Sequence, residues 1–133
     1  MKKTFLALMA FVTMCVPLGA QTVLTVAAYP AVDDIIRAAL PDWQKKHPQV
    51  QVKVVGREFA DHHTAMTTAL SASSGLPDVM TIEYGYLGRF AQSGGLEDLS
   101  QAPFGADRYQ HQFVPYAWAQ ARVEPRGQTA MPT

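Results

Sequence analysis

Three short apolar runs, VLTVAA at residues 23–28, VQVKVVG at 50–56 and DVMTI at 78–82, alternate with two segments whose apolar residues recur at helical spacing. That alternation constrains the chain more than any other feature. Strand–helix–strand crossovers within one sheet are right-handed, so a βαβαβ unit has few topologies open to it. The first run is β-branched and nearly continuous, as in a strand buried on both faces. The second alternates apolar and polar residues, which fits a strand with one wetter face. With the first strand central, the expected fold is α/β, a three-layer sandwich whose parallel sheet has the order 2-1-3 and carries one helix on each face.

The first helical segment has Asp33 and Asp34 near its start, where negative charge suits the helix dipole. Ile35, Ile36, Ala39, Leu40 and Trp43 form its apolar stripe, and Lys45, Lys46 and His47 close its last turn. Pro41 lies inside it, where proline costs roughly 3 kcal/mol, so a kink or two short helices meeting near Leu40 are expected. The second helix is expected over residues 60–73, with Phe59, His63, Met66 and Leu70 on one stripe. Gly75 is placed to cap it in a left-handed conformation, and Pro77 forbids continuation. Residues 85–93 read as a third helix closed by Gly94 and Gly95, and residues 96–100 as an ordered turn. A last helix starts at Pro115 and runs to Arg122. Residues 123–133, VEPRGQTAMPT, read as a turn followed by a strand entry.

The first 20 residues stand apart from this pattern. Lys2 and Lys3 precede an apolar run from Phe5 to Val16 and a small-residue exit at Leu18-Gly19-Ala20. This is the layout of a secretory signal peptide, and the run is shorter than the roughly 20 apolar residues of a membrane span. Cleavage after Ala20 is expected, the alternative being an N-terminal buried helix. Cys15, the only cysteine, would leave with the leader, and the bulky Met14 before it argues against a lipid anchor. Without Lys2 and Lys3 the net charge becomes −2, and no basic stripe suggests nucleic acid as a partner.

Ligands of open α/β sheets bind beyond the carboxyl ends of the strands, where the strand order reverses. Those ends are Ala28-Tyr29-Pro30, Arg57-Glu58-Phe59 and Glu83-Tyr84. Each also has a structural reading. Tyr29 and Tyr84 could only roof the sheet edge, Glu83 could be a solvated strand end or a hinge partner, and Arg57 and Glu58 could pair on the surface. Trp118 could be packing, and Trp43 is expected in the core. Asp61, His62 and His63 suggest a metal site, but adjacent helical residues point about 100° apart, so no metal is expected. Enzyme chemistry is not signalled either, for the chain lacks Gly-x-Gly-x-x-Gly after the first strand, Gly-x-x-x-x-Gly-Lys and a Gly-x-Ser-x-Gly elbow. Ser73-Ser74-Gly75 ends a helix, where a nucleophile elbow would need to end a strand.

Two stretches carry a family resemblance. WQKKHPQVQVKVV at residues 43–55 and SASSGLPDVMTIEYGYLGRFAQSGGLEDLS at 71–100 resemble the extracellular solute-binding proteins that feed ABC importers, in the group that carries sugars and oligosaccharides. The resemblance implies a type II periplasmic-binding lobe that captures a small solute in the periplasm and delivers it to a membrane permease, with no cofactor. Aromatic rings would stack on sugar faces while carboxylates accept hydroxyl hydrogen bonds. By position, the implied ligand-binding residues are Tyr29, Glu58, Glu83 and Tyr84, with Arg57 and Trp118. Residues 1–20 would be the signal peptide and 21–133 the N-terminal lobe. Family members resembling this chain are roughly three times its length, two lobes of ordinary domain size, and the second lobe is not found in this sequence. The alternatives are a fragment that transports nothing by itself, or a small α/β enzyme.

Overall fold

A computed structural model describes residues 21–123 of the protein. Both the expected signal peptide and the expected strand entry after Val123 lie outside the described residues. Strand β1 (Thr22–Ala28) pairs in parallel with β2 (Val50–Gly56) along its whole length, from Thr22 opposite Val50 to Ala28 opposite Gly56. On its other side β1 pairs with β3 (Val79–Met80), Val26 opposite Val79 and Ala27 opposite Met80. The sheet order is therefore β2-β1-β3, as the alternation of runs predicts.

Side chains alternate across a strand, so the last residues of β1 divide between the two faces. Ala27 joins Met66 and Leu70 of α2 (Phe59–Ala72) and Phe90 of α3 (Tyr84–Gln92) in the buried core. Burying side chains of the size of Met66, Leu70 and Phe90 contributes about 1.5–3 kcal/mol each. Helix α1 (Val32–Lys46) packs on β2 and β1 but has no fully buried residue. Ile35 is 68% exposed and Trp43 only half-buried, its ring lying 4.5 Å from that of His47, so Trp43 is not a core residue. Only the C-terminal end of β1, Val26 to Ala28, is buried on both faces; Val23 stays exposed.

Three local expectations are revised. Helix α1 runs through Pro41 as one element, and Pro41 faces solvent, where a carbonyl deprived of its ladder partner can bond to water. The first residue past α2 is Ser73, not Gly75, and it takes the left-handed conformation at φ 48°. The Ser73 and Ser74 amides donate to the carbonyls of Leu70 and Ala69 at 3.3 and 3.2 Å, which is the paired closure of a Schellman motif. Gly75, also left-handed at φ 68°, turns the chain two residues later. Finally, β3 is two residues long instead of five, and Val79 is 50% exposed on its outer side.

What β3 lacks in length is supplied by a side chain. The Asp78 carboxylate accepts from both the amide and the hydroxyl of Thr25 at 2.7 Å, and the Asp78 amide donates back to Thr25 Oγ1 at 3.1 Å. This triple contact fixes the register at the point where the short ladder begins. Beyond α3, Asp98 accepts from the Ser100 amide and hydroxyl at 2.9 and 2.7 Å, so residues 96–100 do form an ordered turn. A 3-10 helix at Ala106–Gln112 precedes α4 (Pro115–Gln120), which has Pro115 in its first turn.

Replacing Ser73 by glycine should stabilise the protein by about 0.5–1 kcal/mol in chemical denaturation, because the left-handed penalty of a residue with Cβ exceeds the extra backbone entropy of glycine. The two Thr25 bonds hold the Asp78 carboxyl below the usual carboxylate range. Its stabilising effect is therefore present above the ordinary carboxylate value and is lost as pH falls through the depressed one. Asp78→Ala should lower Tm at neutral pH, on the order of 5 °C, and should remove this part of the acid dependence in melts recorded across pH.

Candidate functional site

The three strand ends are levelled by backbone hydrogen bonds that leave β1 on both sides. The Thr81 amide donates to the Ala27 carbonyl at 2.9 Å and the Arg57 amide to the Ala28 carbonyl at 3.0 Å. The next carbonyl, that of Tyr29, accepts from the Asp33 amide at 3.0 Å and so starts α1. Tyr29, Arg57-Glu58 and Glu83-Tyr84 thus leave the sheet at one edge, as the topology requires.

Two hollows open at this edge. The first, about 360 Å³, is lined by Pro30, Asp33, Arg37, Gly56, Arg57 and Glu58 and is predominantly polar. Arg37 approaches Asp33 at 3.9 Å one helical turn away and donates to the Val54 carbonyl at 3.2 Å. A Cβ on Gly56 would come within 2.7 Å of Asp33 Oδ2, so the absence of a side chain there lets the Asp33 carboxylate lie over the end of β2. Asp33 and Arg37 line this hollow and were not among the sequence-derived candidates. Their i, i+4 spacing at the start of the helix that follows a strand end was the available signal. The second hollow, about 290 Å³ and mainly apolar, is lined by Ile82, Tyr84, Leu87, Ala117, Gln120 and Ala121.

The sequence-derived candidates separate by how they are engaged. Arg57 and Glu58 are exposed and do not pair: among the described residues the ion pairs are Asp33–Arg37, Asp42–Lys45 and Asp107–Arg122. Tyr84 is 65% exposed at the first turn of α3. Glu83 caps that helix, its Oε2 accepting from the Gly85 amide at 2.9 Å. Tyr29 is half-buried, its ring 5.2 Å from both Phe59 and His63 and 5.4 Å from His62. Burial, with the Glu83 carboxylate nearby, raises the Tyr29 hydroxyl above its ordinary range. Trp118 lines neither hollow. Its ring packs 5.5 Å from Phe113, and its indole Nε1 is buried without a partner among the described residues.

Below this edge His62 and His63 are both fully buried. His62 Nε2 lies 2.8 Å from the Thr81 carbonyl and donates to it, while Nδ1 finds no partner among the described residues. Burial lowers the His62 pKa, and the neighbouring His63 and Arg57 add to this, against the opposing effect of the Thr81 carbonyl. His62 Nε2 is thus already engaged, and among the described residues no group of three or more potential metal ligands is found. No helix among the described residues is long and apolar enough to cross a membrane.

The family model of bacterial extracellular solute-binding proteins matches residues 27–132. A solute-binding protein of an ABC transporter from Agrobacterium vitis S4, solved with bound D-mannitol, is 27% identical. Its TM-score is 0.63, and the match covers 77% of this chain and 25% of that one. The GacH receptor of Streptomyces glaucescens GLA.O, solved unliganded and in complex with acarbose, is 29% identical at a TM-score of 0.63, over 77% of this chain and 27% of that one. A de novo designed cysteine esterase is 25% identical at a TM-score of 0.61, over 78% and 26% of the two chains. The chain therefore spans about a quarter of the length of these structures. No curated protein sequence matches it.

Because His62 is held neutral, the unfolded chain takes up a proton near the ordinary histidine value of about 6.5 that the folded chain resists. Stability should fall as pH drops below about 6.5 and stop falling only beneath the depressed folded value. Urea titrations between about pH 7.5 and 5 should show this slope, and His62→Gln should flatten it.

Proposed function

The chain belongs to the bacterial extracellular solute-binding protein family, and from that premise we propose that it is the solute-capturing lobe of an ABC import system. A leader at residues 1–20 directs it to the periplasm, and residues 21–133 form the N-terminal lobe. The solute is a sugar, sugar alcohol or oligosaccharide, and a membrane permease receives it. Capture is by reversible binding, without covalent chemistry on the solute.

The observation that carries this reading is the convergence at one sheet edge of a polar hollow and an exposed aromatic ring. Glu58, Asp33 and Arg57 supply acceptors and a donor for hydroxyl groups, and Tyr84 supplies a ring face for the apolar side of a sugar. Arg57, Glu58 and Tyr84 have no side-chain hydrogen bond or ion pair within the described residues that a solute would have to break. The D-mannitol and acarbose bound to the two similar proteins support this solute class. Trp118, packed against Phe113, is assigned a structural role in place of solute contact.

A micromolar complex corresponds to about −8 kcal/mol, so a lobe that supplies half of it should bind with a Kd of about 1 mM. Titration of the chain with D-mannitol, maltose and acarbose, followed by NMR shift changes, should show saturable binding near that value. Tyr84→Ala and Glu58→Ala should each weaken it by about tenfold, roughly 1.4 kcal/mol, with Tm unchanged because neither side chain is buried. Saturation by none of these sugars, with shifts instead produced by amino acids or peptides, would reject the assigned solute class.

A further inference from the structure

His62 and His63 are adjacent in sequence, yet both imidazoles bond to the backbone of residues 81–83, the exit from β3. His62 Nε2 donates to the Thr81 carbonyl at 2.8 Å, and His63 Nε2 accepts from the Glu83 amide at 3.3 Å. For His63 to accept there, its proton must sit on Nδ1, and Nδ1 lies 2.8 Å from the Phe59 carbonyl, where it donates. The two rings are thus neutral in opposite tautomers, and their planes are 86° apart at a centroid distance of 5.1 Å.

We propose that His62 and His63 are positioning residues for the solute site, a two-point bracket that fixes the turn from which Glu83 caps α3 and Tyr84 projects at the sheet edge. The bracket replaces a sheet partner: β3 ends at Met80, and after the Thr81 amide no ladder bond to β1 holds the chain. The groups around it keep it rigid. Tyr86 of α3 stacks on His63 at 4.0 Å, Phe59 lies 4.5 Å away on the preceding turn of α2, and Tyr29 comes from the end of β1 at 5.2 Å. Phe90 closes the far side at 6.2 Å. Of the charged groups nearby, Arg57 acts on His62, and the Glu83 carboxylate is turned to the Gly85 amide. The two contacts differ in kind: His62 acts as a donor, whereas His63 must keep Nε2 free of a proton to accept from the Glu83 amide. Only the last step, that Tyr84 faces the solute, rests on the solute-binding function proposed above.

Long-range ¹H–¹⁵N spectra of the full chain at neutral pH should show His63 protonated on Nδ1 and His62 on Nε2. The opposite tautomer at His63 would overturn the bracket without any variant being needed. His63→Leu should speed amide exchange at Glu83 by about tenfold or more, the loss of one net hydrogen bond. His63→Gln, whose carboxamide oxygen reaches a similar position and can accept from the Glu83 amide, should restore protection. Equal Glu83 exchange in the native, Leu and Gln chains would reject the positioning role. A D-mannitol titration run on the same samples separates the two ideas. The expected tautomers and exchange rates without any sugar binding would support the bracket and remove the solute-binding function.

Discussion

The last three residues of β1 are the element on which the remaining structure depends. Val26, Ala27 and Ala28 are the only strand residues among the described ones that are fully buried. Their backbone is bonded on both sides, to β2 and β3 within the sheet, and then to the Arg57 and Thr81 amides as the neighbouring strands end. Two alanines here are not incidental. A larger side chain at Ala27 would push Met66, Leu70 and Phe90 outward, and overpacking a core costs about 1–3 kcal/mol. The small residues keep the helices close, and the bonds from the Ala27 and Ala28 carbonyls bring all three strand ends to one height. A single shared edge follows from that levelling.

Much of this was legible in the residues. Period-two runs separated by period-3.6 segments specify parallel strands joined by helices, and right-handed crossovers then leave the order 2-1-3 as the natural solution. The sequence was less informative wherever a side chain takes over a backbone task. DVMTI reads as a five-residue strand because its residues are apolar, yet only two of them enter the ladder, since Asp78 bonds directly to Thr25 and the histidines take up the exit. Such contacts link residues 53 and about 20 positions apart, and local propensity carries no trace of them. Ser73 displaced Gly75 as the helix closure for a related reason: the Schellman bonds fix which residue must turn left-handed, and a serine can be held there at modest cost.

The candidate site was legible by position and less so by role. The rule that ligands gather beyond the carboxyl ends of strands put Tyr29, Arg57, Glu58, Glu83 and Tyr84 at the edge where the two hollows open. It could not say that Glu83 caps α3 or that Tyr29 is packed among Phe59, His62 and His63. Nor could it add Asp33 and Arg37, which the N-terminal turn of α1 swings over Gly56. The histidine pair shows the limit most clearly. As adjacent helical residues they were expected to point too far apart to share one ion. An extended backbone segment is a different kind of partner, because its carbonyl and amide groups are spread over several ångströms and can meet two diverging rings at once.

This division of labour determines how such a site can change. Glu83 and Tyr29 are committed to the fold, so substituting either alters the helix cap or the ring cluster along with any solute contact. Arg57, Glu58 and Tyr84 project from those fixed elements with no side-chain hydrogen bond or ion pair within the described residues, so their identities can vary at little cost in stability. A scaffold of this kind separates holding from choosing. The buried histidines and the levelled strand ends set where the side chains stand; on the solute-capturing function proposed above, the exposed set would do the choosing. On that function, substitutions at positions 57, 58 and 84 would alter solute preference, while changes at 62, 63 and 83 would alter affinity for every solute together.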